Sequence, residues 1–589
     1  MENVEIARTL QEIADILEIK NENPYRIRAY RNAARTVSVQ MKPLRRVVEE
    51  GGRLTDLPGI GKEMANHIRE MVETGTLAYR DELTAEVPRS LVDLVRLPSV
   101  GPKKAKKLWD ELGICSLEEL EAAAKTGKIA GVAGFGAKTQ ERILAGLAEH
   151  REHASRYLLA DAEVFVEPLV DYLRAVPGVE RLEVAGSYRR RRETVGDIDL
   201  LAVASDTAPV MRAFAGYPQR DKVLMDGDTR STITLGSGLQ VDLRAVPPEC
   251  YGAALVYFTG SKEHNVKLRR RGVERGLRIS EYGVFRVGGA EKGDQEGVFH
   301  GERIAGATEE EVYASVGLAW IPPELREDRG EIEAAAAGRL PRLLEAGDLR
   351  GDLHMHSTWS DGRNSIEEMV EACAARGYEY MVISDHSKAL SMVNGLDAYR
   401  LKLQWKEIDE VQARHPEIRI LKAMEIDILA DGSLDLEDEM LAGLDLVLVS
   451  LHSGLGMPGD EQTARVLKAL EHPEVNVFCH PTARLINRRR PVEMDMDRVL
   501  SRAAELGVAV EINCNPHRLD LKDTHARLAK ELGCKLVVST DSHRTRELDL
   551  VRYGVEQARR AGLEPGDVLN TLPLKKLLKA VERKSAVRV

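Results

Sequence analysis

Cysteine and aromatic residues are scarce in this sequence. Its 589 residues include six Cys and only 4% Phe, Trp and Tyr. No two Cys form a Cys-x-x-Cys pair, which argues against a disulfide framework or a zinc ribbon. No apolar run approaches the roughly 18 residues of a membrane span, and the first residues lack the basic and then apolar pattern of a secretory signal. We therefore expect a cytoplasmic protein.

Charge is plentiful but unevenly distributed. Charged residues make up 30% and hydrophobic residues 43% of the chain, which excludes a disordered polymer. The length allows about four domains. The net charge of −11, taken alone, disfavours a nucleic-acid binder. However, residues 1–300 hold 45 Lys and Arg and 45 Asp and Glu, so the whole acidic excess lies in residues 301–589. We therefore expect the two parts to do different chemistry.

Three short turns in the first 150 residues share a Gly-rich pattern. They are LPGIGK (57–62), LPSVGP (97–102) and VAGFGA (132–137). Glycine permits a tight turn, and exposed N–H groups at the start of the next helix can hold a phosphate. One such turn is typical of any helix–helix connection, but three turns with KKAKK (103–107) favour sequence-independent binding of a DNA backbone. The candidate contacts in these turns are Gly59, Gly61, Lys62, Gly101, Lys103 and Lys104.

Converging acids mark the middle of the chain. Strands are predicted at Leu182–Ala185, Ile198–Ala204, Thr232–Leu235 and Leu239–Val246. Asp197 and Asp199, in GSYRRRRETVGDIDLL (186–201), are two residues apart on one strand, so both point to one face. Asp242 lies on another strand. Three carboxylates repel one another unless cations lie between them, and Mg²⁺ prefers oxygen ligands. We interpret the set as a two-metal phosphoryl-transfer site; the simpler alternative is a solvated Asp-x-Asp turn.

These motifs resemble the nucleotidyltransferase signature of X-family DNA polymerases. VYFTGSKEHNVKLRRR (256–271) is similar to the segment that holds the incoming nucleotide in DNA polymerase beta, and the resemblance covers most of residues 1–325. It implies that the three Asp bind two Mg²⁺ or Mn²⁺ ions and that Asp242 orients or deprotonates the primer 3′-hydroxyl. It further implies contacts with the triphosphate by Ser187, Arg190 and Gly196, with the nucleotide sugar by Tyr257, Phe258 and Gly260, and near the minor groove by Asn265 and Arg269.

Some of these residues have simpler explanations when the resemblance is set aside. Tyr257 and Phe258 are equally well explained as core residues. The seven Lys and Arg of residues 262–278 are typical of a solvated helix face. Beside a polymerase site, contact with the template or with phosphates becomes the favoured interpretation.

Residues 20–80 resemble the small lyase domain of the same family. PYRIRAYRNAA and LPGIGKEMANHIREMVETGTL carry this likeness. Family members that remove a 5′-deoxyribose phosphate use a Lys amine as the nucleophile that forms a Schiff base. Here Glu63 and His67 stand at the two Lys positions. We therefore expect weak or absent lyase activity, with binding of a 5′-phosphate or gap retained through Arg26, Tyr30 and Lys62.

After residue 350, short apolar segments alternate with helical ones. Strands are predicted at Tyr380–Ser384, Ile418–Ala423, Leu444–Leu451, Val475–Cys479, Val508–Ile512 and Lys535–Ser539. This rhythm is typical of a parallel β/α barrel. We also place His354 and His356 on a strand, with both rings on one side. A lone His at a strand end is usually structural, but six with several acids on one rim predict metals and phosphoester hydrolysis.

This segment resembles a PHP (polymerase and histidinol phosphatase) domain, a distorted barrel with a three-metal centre. The match spans about residues 351–570. The resemblance implies up to three Zn²⁺, Mn²⁺ or Fe²⁺ ions, with Glu425 as a bridging carboxylate. The nine implied ligands are His354, His356, Asp361, His386, Glu425, His452, His480, Asp541 and His543. Every position holds the expected residue type, which indicates an active domain.

The combined prediction is a multidomain α+β polymerase followed by an α/β distorted PHP barrel. Its parts are a lyase-like helical domain (1–85), a helix-hairpin-helix subdomain (86–152), a nucleotidyltransferase palm (153–250), a nucleotide-selecting subdomain (251–325), a partly helical linker (326–350), the PHP domain (351–575) and a basic tail (576–589).

The combination resembles the bacterial X-family polymerases, which implies filling of short gaps in DNA repair. The PHP part would process 3′ ends as a 3′–5′ exonuclease, 3′-phosphatase or abasic-site endonuclease. The expected partners are gapped or nicked DNA and deoxynucleoside triphosphates, and we expect a monomer. Two alternatives stay open: a small-molecule PHP phosphatase with a non-polymerising DNA-binding part, and a non-enzymatic scaffold for DNA ends.

Overall fold

The computed structural model describes residues 1, 3–38, 44–49, 51–57, 59–88, 90–95, 97, 100–132, 134–136, 139–144, 147, 156–287, 301–390 and 393–582. The chain divides into two compact units, Met1–Arg156 and Tyr157–Val589. Parts of the three Gly-rich turns (residues 58, 98–99, 133 and 137) and residues 583–589 of the predicted basic tail lie outside the described residues. Within the described ranges, no helix is long and apolar enough to cross a membrane.

Short helices build the first unit, as predicted. They are Asn3–Ile19, Pro24–Ser38, Leu44–Glu49, Lys62–Thr74, Ala78–Glu86, Ser90–Val95, Pro102–Leu112 and Leu117–Lys125, with a further helical segment at 139–144. Aliphatic side chains such as Ile13, Leu17 and Ile68 are fully buried in one core. Gly61 and Gly101 are the N-terminal caps of the two helices that follow the first and second Gly-rich turns.

The second unit begins with a five-stranded sheet, here called the palm sheet. Two short strands, β1 (Tyr157–Leu158) and β3 (Thr194–Val195), pair beside it. Its own strands are β2 (Val179–Val184), β4 (Asp197–Ala204), β5 (Arg220–Asp226), β6 (Arg230–Leu235) and β7 (Gln240–Ala245), in the order β2-β4-β7-β6-β5. Helices Leu159–Arg174 and Thr207–Ala215 bury their apolar residues in the core of this sheet. The four strands predicted from the sequence are present, whereas β5 was missed because every residue in it is exposed.

Residues 251–287 and 301–349, here called the 251–349 region, form a smaller α+β region after the palm sheet. Its helices are Tyr251–Thr259, Lys262–Val273, Glu309–Ser315 and Glu331–Ala336, and its antiparallel strands are β8 (Leu277–Ser280), β9 (Gly283–Arg286) and β10 (Glu302–Ala305). A Cβ on Gly252 would lie 2.1 Å from the backbone of Thr308, so glycine is required where the first helix meets the third. The segment predicted as a linker is partly helical and well packed, since Arg326, Ile332 and Leu344 are buried.

Seven parallel strands form the C-terminal barrel. They are β11 (Gly351–Asp352), β12 (Tyr380–Ile383), β13 (Arg419–Asp427), β14 (Leu446–Ser450), β15 (Val477–Phe478), β16 (Ala509–Asn513) and β17 (Leu536–Ser539), paired in sequence order. A bridge between Met355 and Ser542 nearly closes the sheet. The surrounding helices are Ile366–Ala375, Ala398–Arg414, Asp438–Leu441, Gly459–Leu470, Met496–Leu506, Asp523–Glu531, Val551–Arg560 and Leu574–Val581. The six strands predicted from the sequence are all present.

The prediction that His354 and His356 lie on a strand is wrong. The first barrel strand, β11, ends at Asp352, and its carboxylate accepts a hydrogen bond from the backbone N–H of His354 (3.1 Å). This bond uses the N–H group that would otherwise pair with a neighbouring strand. Of residues 353–356, only Met355 forms a β-bridge with another segment, an isolated one to Ser542. The two rings nevertheless meet, with 3.2 Å between their Nε2 atoms.

Candidate active sites

The three palm carboxylates lie together at the start of β4 and β7. Asp199 and Asp242 are direct neighbours in this parallel pair, and Asp197 lies at its exposed end. Burial, together with the charges of the other two carboxylates, raises the pKa of Asp199 to about 6. Asp242 accepts hydrogen bonds from Thr232 and from Gln240 Nε2 (3.0 Å). The acids stand on a largely buried strand and not in a solvated turn, and their crowded oxygens fit Mg²⁺ or Mn²⁺.

The Gly-Ser turn is fixed against β4. Gly186 has a φ of 63°, and a Cβ there would lie 2.9 Å from Asp199 Oδ2, so only glycine allows this close approach. The backbone N–H of Ala185 donates to the carbonyl oxygen of Asp199 (2.7 Å). Ser187 and Gly196, the other predicted triphosphate contacts, are both partly exposed beside the same strand. The turn therefore presents its polar groups next to the carboxylates.

Arg190, predicted to hold the triphosphate, is buried, and two of its nitrogens bond to protein groups. Its Nη1 donates to the carbonyl oxygen of Thr259 (2.5 Å), and its Nε donates to Glu327 (3.1 Å). A Cβ on Gly260 would lie 3.0 Å from the same Nη1. Arg190 thus holds the turn at Gly260, and its direct contact with a triphosphate stays a prediction. Arg192, by contrast, exposes 46% of its side chain.

The predicted sugar and base-pair contacts follow on the next two helices. Tyr257 is 38% exposed, whereas Phe258 packs beneath the guanidinium of Arg244, 4.5 Å from the ring centre. Asn265 Nδ2 donates to the carbonyl oxygen of Tyr257 (2.7 Å), while its Oδ1 is buried without a hydrogen-bond partner among the described residues. Arg269 is exposed and donates to the carbonyl oxygen of Asn265 (3.2 Å).

A buried ion cluster that no sequence motif marked ties the Gly-Ser turn to the 251–349 region. Glu309 accepts paired hydrogen bonds from Arg189 (2.7 and 2.9 Å) and from Arg326 (2.7 and 3.1 Å). Trp320 Nε1 donates to the same carboxylate (2.9 Å). Burial opposes ionisation, but the two guanidinium groups outweigh it and lower the pKa of Glu309 to about 2. The cluster therefore stays charged throughout the physiological pH range.

The barrel brings the predicted metal ligands together around Glu425. Its Oε1 lies 2.8 Å from His480 Nε2 and 3.3 Å from His452 Nε2. Its Oε2 lies 2.9 Å from His386 Nδ1 and 3.3 Å from His354 Nε2. His356 Nε2 is also 3.6 Å from Oε2, so one carboxylate faces five imidazoles, which is the arrangement expected of a ligand that bridges ions.

The other four predicted ligands complete the cluster. His356 Nε2 lies 3.1 Å from Asp541 Oδ1, and His543 Nε2 lies 3.3 Å from Asp361 Oδ2. Four overlapping groups of donors are close enough to hold an ion: His356, Asp361, His386 and His543; His354, His356 and Asp541; His386, Glu425 and His452; and His354, Cys479 and Glu511. Cys479 and Glu511 of the fourth group are not among the nine predicted ligands. All nine predicted residues therefore converge on the rim formed by the carboxyl ends of the strands.

The chemistry of the donors fits divalent metals. Burial lowers the pKa of His356 and of His480 to about 4, so both imidazoles are neutral at pH 7. Although burial alone would raise the pKa of Glu425, the charges of His386, His354 and His452 hold it well below the usual range. Other ligand imidazoles favour the charged form: despite burial, the charge of Glu425 raises the pKa of His452 to about 9, and Asp361 raises that of His543 to about 10. Because neutral imidazole and ionised carboxylate are the forms that bind metal, metal binding would release the protons of these two rings. Buried donors at the cluster, including His356 Nδ1, His480 Nδ1 and Glu425 Oε2, lack hydrogen-bond partners among the described residues.

Some residues hydrogen-bond to the predicted metal ligands and hold them in place, and these were not identified from the sequence. Glu511 is fully buried and accepts from His480 N (2.7 Å), and its other oxygen lies 2.7 Å from His354 Nδ1. Asn513 Nδ2 donates to Asp541 Oδ2 (3.0 Å). A Glu inside the apolar strand β16 is the signal that would have revealed this layer. Such partners orient metal-binding imidazoles and fix their tautomers.

In the lyase-like helices, Glu63 and His67, which stand at the Lys positions of the family, form hydrogen bonds with neighbouring side chains. Tyr30 is fully buried, so its predicted contact with DNA is wrong for this structure. Its hydroxyl donates to Glu63 (3.3 Å) and lies 3.0 Å from His67 Nδ1. Arg26 also donates to Glu63 (3.1 Å), while Lys62 is exposed at the start of its helix.

The remaining DNA-contact candidates lie at helix starts or loop surfaces. Gly59 has a φ of 74°, and nothing lies within 4 Å of a Cβ placed on Gly61 or Gly101. Lys103 is exposed, whereas Lys104 lies over the ring of Phe135 at 5.3 Å. The two capping glycines leave their backbones accessible, and DNA contact here stays a prediction.

Family models match four parts of the chain. A DNA polymerase beta thumb matches residues 254–327, a helix-hairpin-helix domain matches residues 1–77, a SAM-like helix-hairpin-helix tandem matches residues 91–149, and a PHP domain matches residues 352–513. These matches follow the predicted order of helical domains, polymerase and barrel.

Curated relatives cover either the whole chain or one of its halves. The DNA polymerase/3′-5′ exonuclease PolX of Bacillus subtilis (strain 168) is 40% identical over 577 residues, which is 98% of each chain. DNA polymerase lambda of Arabidopsis thaliana is 26% identical over 47% of this chain and 54% of its own length. A probable phosphatase of Thermoanaerobacter sp. (strain X514) is 29% identical over 40% of this chain and 96% of its own. The chain therefore belongs to the family of the DNA polymerase/3′-5′ exonuclease PolX.

Proposed function

We propose that this protein is a DNA-directed DNA polymerase that fills short gaps during DNA repair and processes 3′ ends in its PHP domain. The observation that carries this proposal is that one chain of the PolX family contains two separate sites suited to metal binding, one of carboxylates and one of imidazoles with carboxylates. One is the carboxylate set on β4 and β7, and the other is the nine-residue cluster of the barrel, in which His480 is joined to the other eight through Glu425.

The palm residues are suited to nucleotidyl transfer. Asp197, Asp199 and Asp242 would hold two Mg²⁺ or Mn²⁺ ions, which supply charge stabilisation at the phosphoryl oxygens and activation of the attacking hydroxyl. Asp242 is oriented by Thr232 and would align the primer 3′-hydroxyl. Ser187 and the backbone of the Gly-Ser turn would bind the triphosphate next to the carboxylates.

The barrel residues are suited to phosphoester hydrolysis at 3′ ends. The nine ligands would hold up to three Zn²⁺, Mn²⁺ or Fe²⁺ ions, which lower the pKa of water and stabilise the phosphate oxyanion. Glu425 faces five imidazoles and would share its two oxygens between ions. Glu511 would hold His354 in one tautomer through the short contact at Nδ1. The same chemistry serves a 3′–5′ exonuclease, a 3′-phosphatase and an abasic-site endonuclease.

The small-molecule phosphatase alternative has less support. It requires a polymerase region that has lost its function, yet all three palm carboxylates and the Gly-Ser turn are present and adjacent. A non-enzymatic scaffold for DNA ends is also disfavoured, because it would need neither the three palm carboxylates nor the metal-binding residues of the barrel. We further propose that lyase activity is weak or absent, because neither Glu63 nor His67 can form a Schiff base.

The experiment is a primer assay on a gapped duplex, with either a 3′-hydroxyl or a 3′-phosphate, in Mg²⁺ and in Mn²⁺. Wild type is expected to extend the first primer and to extend the second after removing its phosphate. Asp197→Ala is expected to abolish extension only, and His354→Ala to abolish phosphate removal only, so that each variant is the control for the other. No incorporation by the wild type would refute the polymerase assignment. Equal loss of both activities in both variants would refute the two-site assignment.

A further inference from the structure

A helix of the barrel packs directly on the loop that carries the Gly-Ser turn. We call residues 186–196 the arginine loop and Val551–Arg560 the bridging helix. Beside them, an apolar cluster joins Leu158 of β1 to the barrel residues Ile486, Leu519 and Tyr553. All these residues belong to the same compact unit. The contact is therefore an internal packing surface between the polymerase region and the barrel.

Arg560, the last residue of the bridging helix, is the centre of this contact. It is 5% exposed, and its Nη1 donates to the carbonyl oxygen of Arg190 (2.6 Å) and to Glu327 (3.1 Å). Its Nη2 donates to Asp523 of the barrel (2.7 Å). A barrel side chain thus reaches the backbone of the arginine loop.

The same contact continues to the turn at Gly260. Glu327 Oε1 accepts from Arg560 and also from Arg190 Nε (3.1 Å), and Arg190 Nη1 in turn donates to the carbonyl oxygen of Thr259. The direction of the Arg190 side chain is therefore set by a carboxylate whose position Arg560 fixes. Both ends of this relay, the Gly-Ser turn and the Gly260 turn, are predicted to touch the incoming nucleotide.

A second ion pair holds the next residue of the loop. Arg191 Nη2 lies 2.6 Å from Oε1 of Glu556 on the bridging helix and 2.6 Å from Oε1 of Glu163 in the palm. Tyr553 donates to the other oxygen of Glu163 (2.6 Å). Consecutive arginines of the loop are thereby tied to successive turns of one barrel helix, which restricts both shift and rotation of the loop.

We propose that Arg560 is a positioning residue for nucleotide binding in the polymerase site. It acts through Arg190 and Glu327 and does not touch the nucleotide itself. This inference rests on the proposed polymerase function, and it assigns the barrel a structural part in nucleotidyl transfer that is separate from its own metal centre. The barrel thus completes the nucleotide pocket, and is more than a second enzyme on the same chain.

The test is single-nucleotide incorporation by full-length Arg560→Met, with the KM for the nucleotide and kcat measured separately. Methionine keeps much of the side-chain length but donates no hydrogen bond. Glu327 keeps Arg190 as its partner, and Asp523 keeps Arg329 (3.0 Å), so neither carboxylate is left unpaired. We expect the KM to rise about tenfold, which corresponds to a loss of about 1.4 kcal/mol of nucleotide binding, while kcat changes far less because the lost interaction serves binding and not the chemical step.

A matched control lies one residue earlier. Arg559 is on the same helix and donates to Glu324 (2.7 Å) and to the carbonyl oxygen of Leu344 (3.2 Å), but it does not bond to the arginine loop. Arg559→Met is therefore expected to keep the wild-type KM. Arg560→Lys retains one charged donor and is expected to restore part of the affinity.

Several outcomes separate this inference from the proposed function. An unchanged KM in Arg560→Met, or the same rise in Arg559→Met, would overturn the positioning role while leaving the polymerase intact. Partial unfolding lowers the active fraction and hence kcat, but leaves the KM unchanged. A further rise when Arg560→Met is added to Arg190→Met would also contradict action through Arg190. No incorporation by the wild type would instead refute the proposed function itself. Removal of a 3′-phosphate is expected to continue in Arg560→Met.

Discussion

The ion cluster around Glu309 gives the sharpest prediction about how the polymerase region is held together. Glu309→Gln preserves the shape of the side chain but removes its charge. The carboxylate accepts from both guanidinium nitrogens of Arg189 and of Arg326, and from Trp320. Arg326 is fully buried, and Arg189 exposes 16% of its side chain. The amide of Gln is neutral, so the guanidinium groups of Arg189 and Arg326 would lose their counter-charge. It also has only one accepting oxygen, so some of their hydrogen bonds would be lost.

The structure sets the size of the expected effect. The pKa of Glu309 is about 2, compared with 4.5 for a free Glu side chain, and that difference corresponds to about 3 kcal/mol of interaction in favour of the charged form. Removing one partner of a buried ion pair costs about 3–5 kcal/mol. We therefore expect Glu309→Gln to lower the free energy of unfolding of this region by about 3 kcal/mol or more at pH 7.

The pH dependence has a definite sign. Because the pKa of Glu309 is lower in the folded protein, its stabilisation is complete above about pH 5 and is lost as the pH falls from about 4.5 towards 2. The stability advantage of the wild type over Glu309→Gln should therefore shrink across that acidic window and stay constant between pH 5 and 8. A constant difference from pH 5 down to pH 2.5 would contradict this assignment.

The assay can use Trp320 as a local reporter. The chain has four Trp, so replacing the other three with Phe leaves fluorescence from the cluster itself. Urea unfolding followed by this signal measures the 251–349 region directly. Glu310→Gln is the control, since Glu310 is the exposed neighbour and its change is expected to stay within about 0.5 kcal/mol. A loss below about 1 kcal/mol in Glu309→Gln would refute the idea that the cluster holds the region together.

Two other predictions concern the barrel and the first unit. Glu511→Gln is expected to weaken metal binding by the barrel by about 10–100-fold in a metal titration while nucleotide incorporation stays normal, because Glu511 orients His354; wild-type metal affinity would contradict this. The full-length chain mixed with a 5′-deoxyribose phosphate end and borohydride is expected to give no covalent adduct, because Glu63 and His67 occupy the Lys positions; a trapped adduct would show that another amine, such as that of Lys62, serves as nucleophile.

Patterns with strong local constraints could be predicted from the sequence. Apolar runs predicted four palm strands and six barrel strands, because buried strands require continuous or alternating apolar residues. Asp197 and Asp199 were assigned to one face because residues two apart on a strand share a side. The nine barrel ligands were named from the resemblance to a PHP domain, whereas the clustering of six His and several acids near strand ends predicted only metals and phosphoester hydrolysis. The resemblance to known motifs supplied the order in which these pieces are combined.

Contacts between distant segments could not be predicted in this way. Arg326 and Glu309 are ordinary charged residues in sequence, and only the fold shows that they meet inside the protein. Arg560 and Arg190 are 370 residues apart, so no local pattern links them. Tyr30 was expected to contact a 5′-phosphate or gap because of the resemblance to the lyase domain, yet its side chain is buried in the core. Position relative to a core depends on packing, which a single sequence does not record.

The acidic surplus of the chain also has a different meaning once burial is known. Residues 301–450 contain 15 Lys and Arg against 31 Asp and Glu, and they carry the acidic excess that, taken alone, disfavours a nucleic-acid binder. Several of these acids are internal: Asp352, Asp385, Glu425 and Asp427 are each at most 2% exposed. Asp352 accepts a hydrogen bond from Thr540, and Glu425 faces five imidazoles, so these acids help to build the metal centre and do not lie on the surface. Net charge therefore overstates the negative field that DNA would meet at this surface, and it is a poor reason to exclude a nucleic-acid substrate for a metal-dependent phosphoesterase.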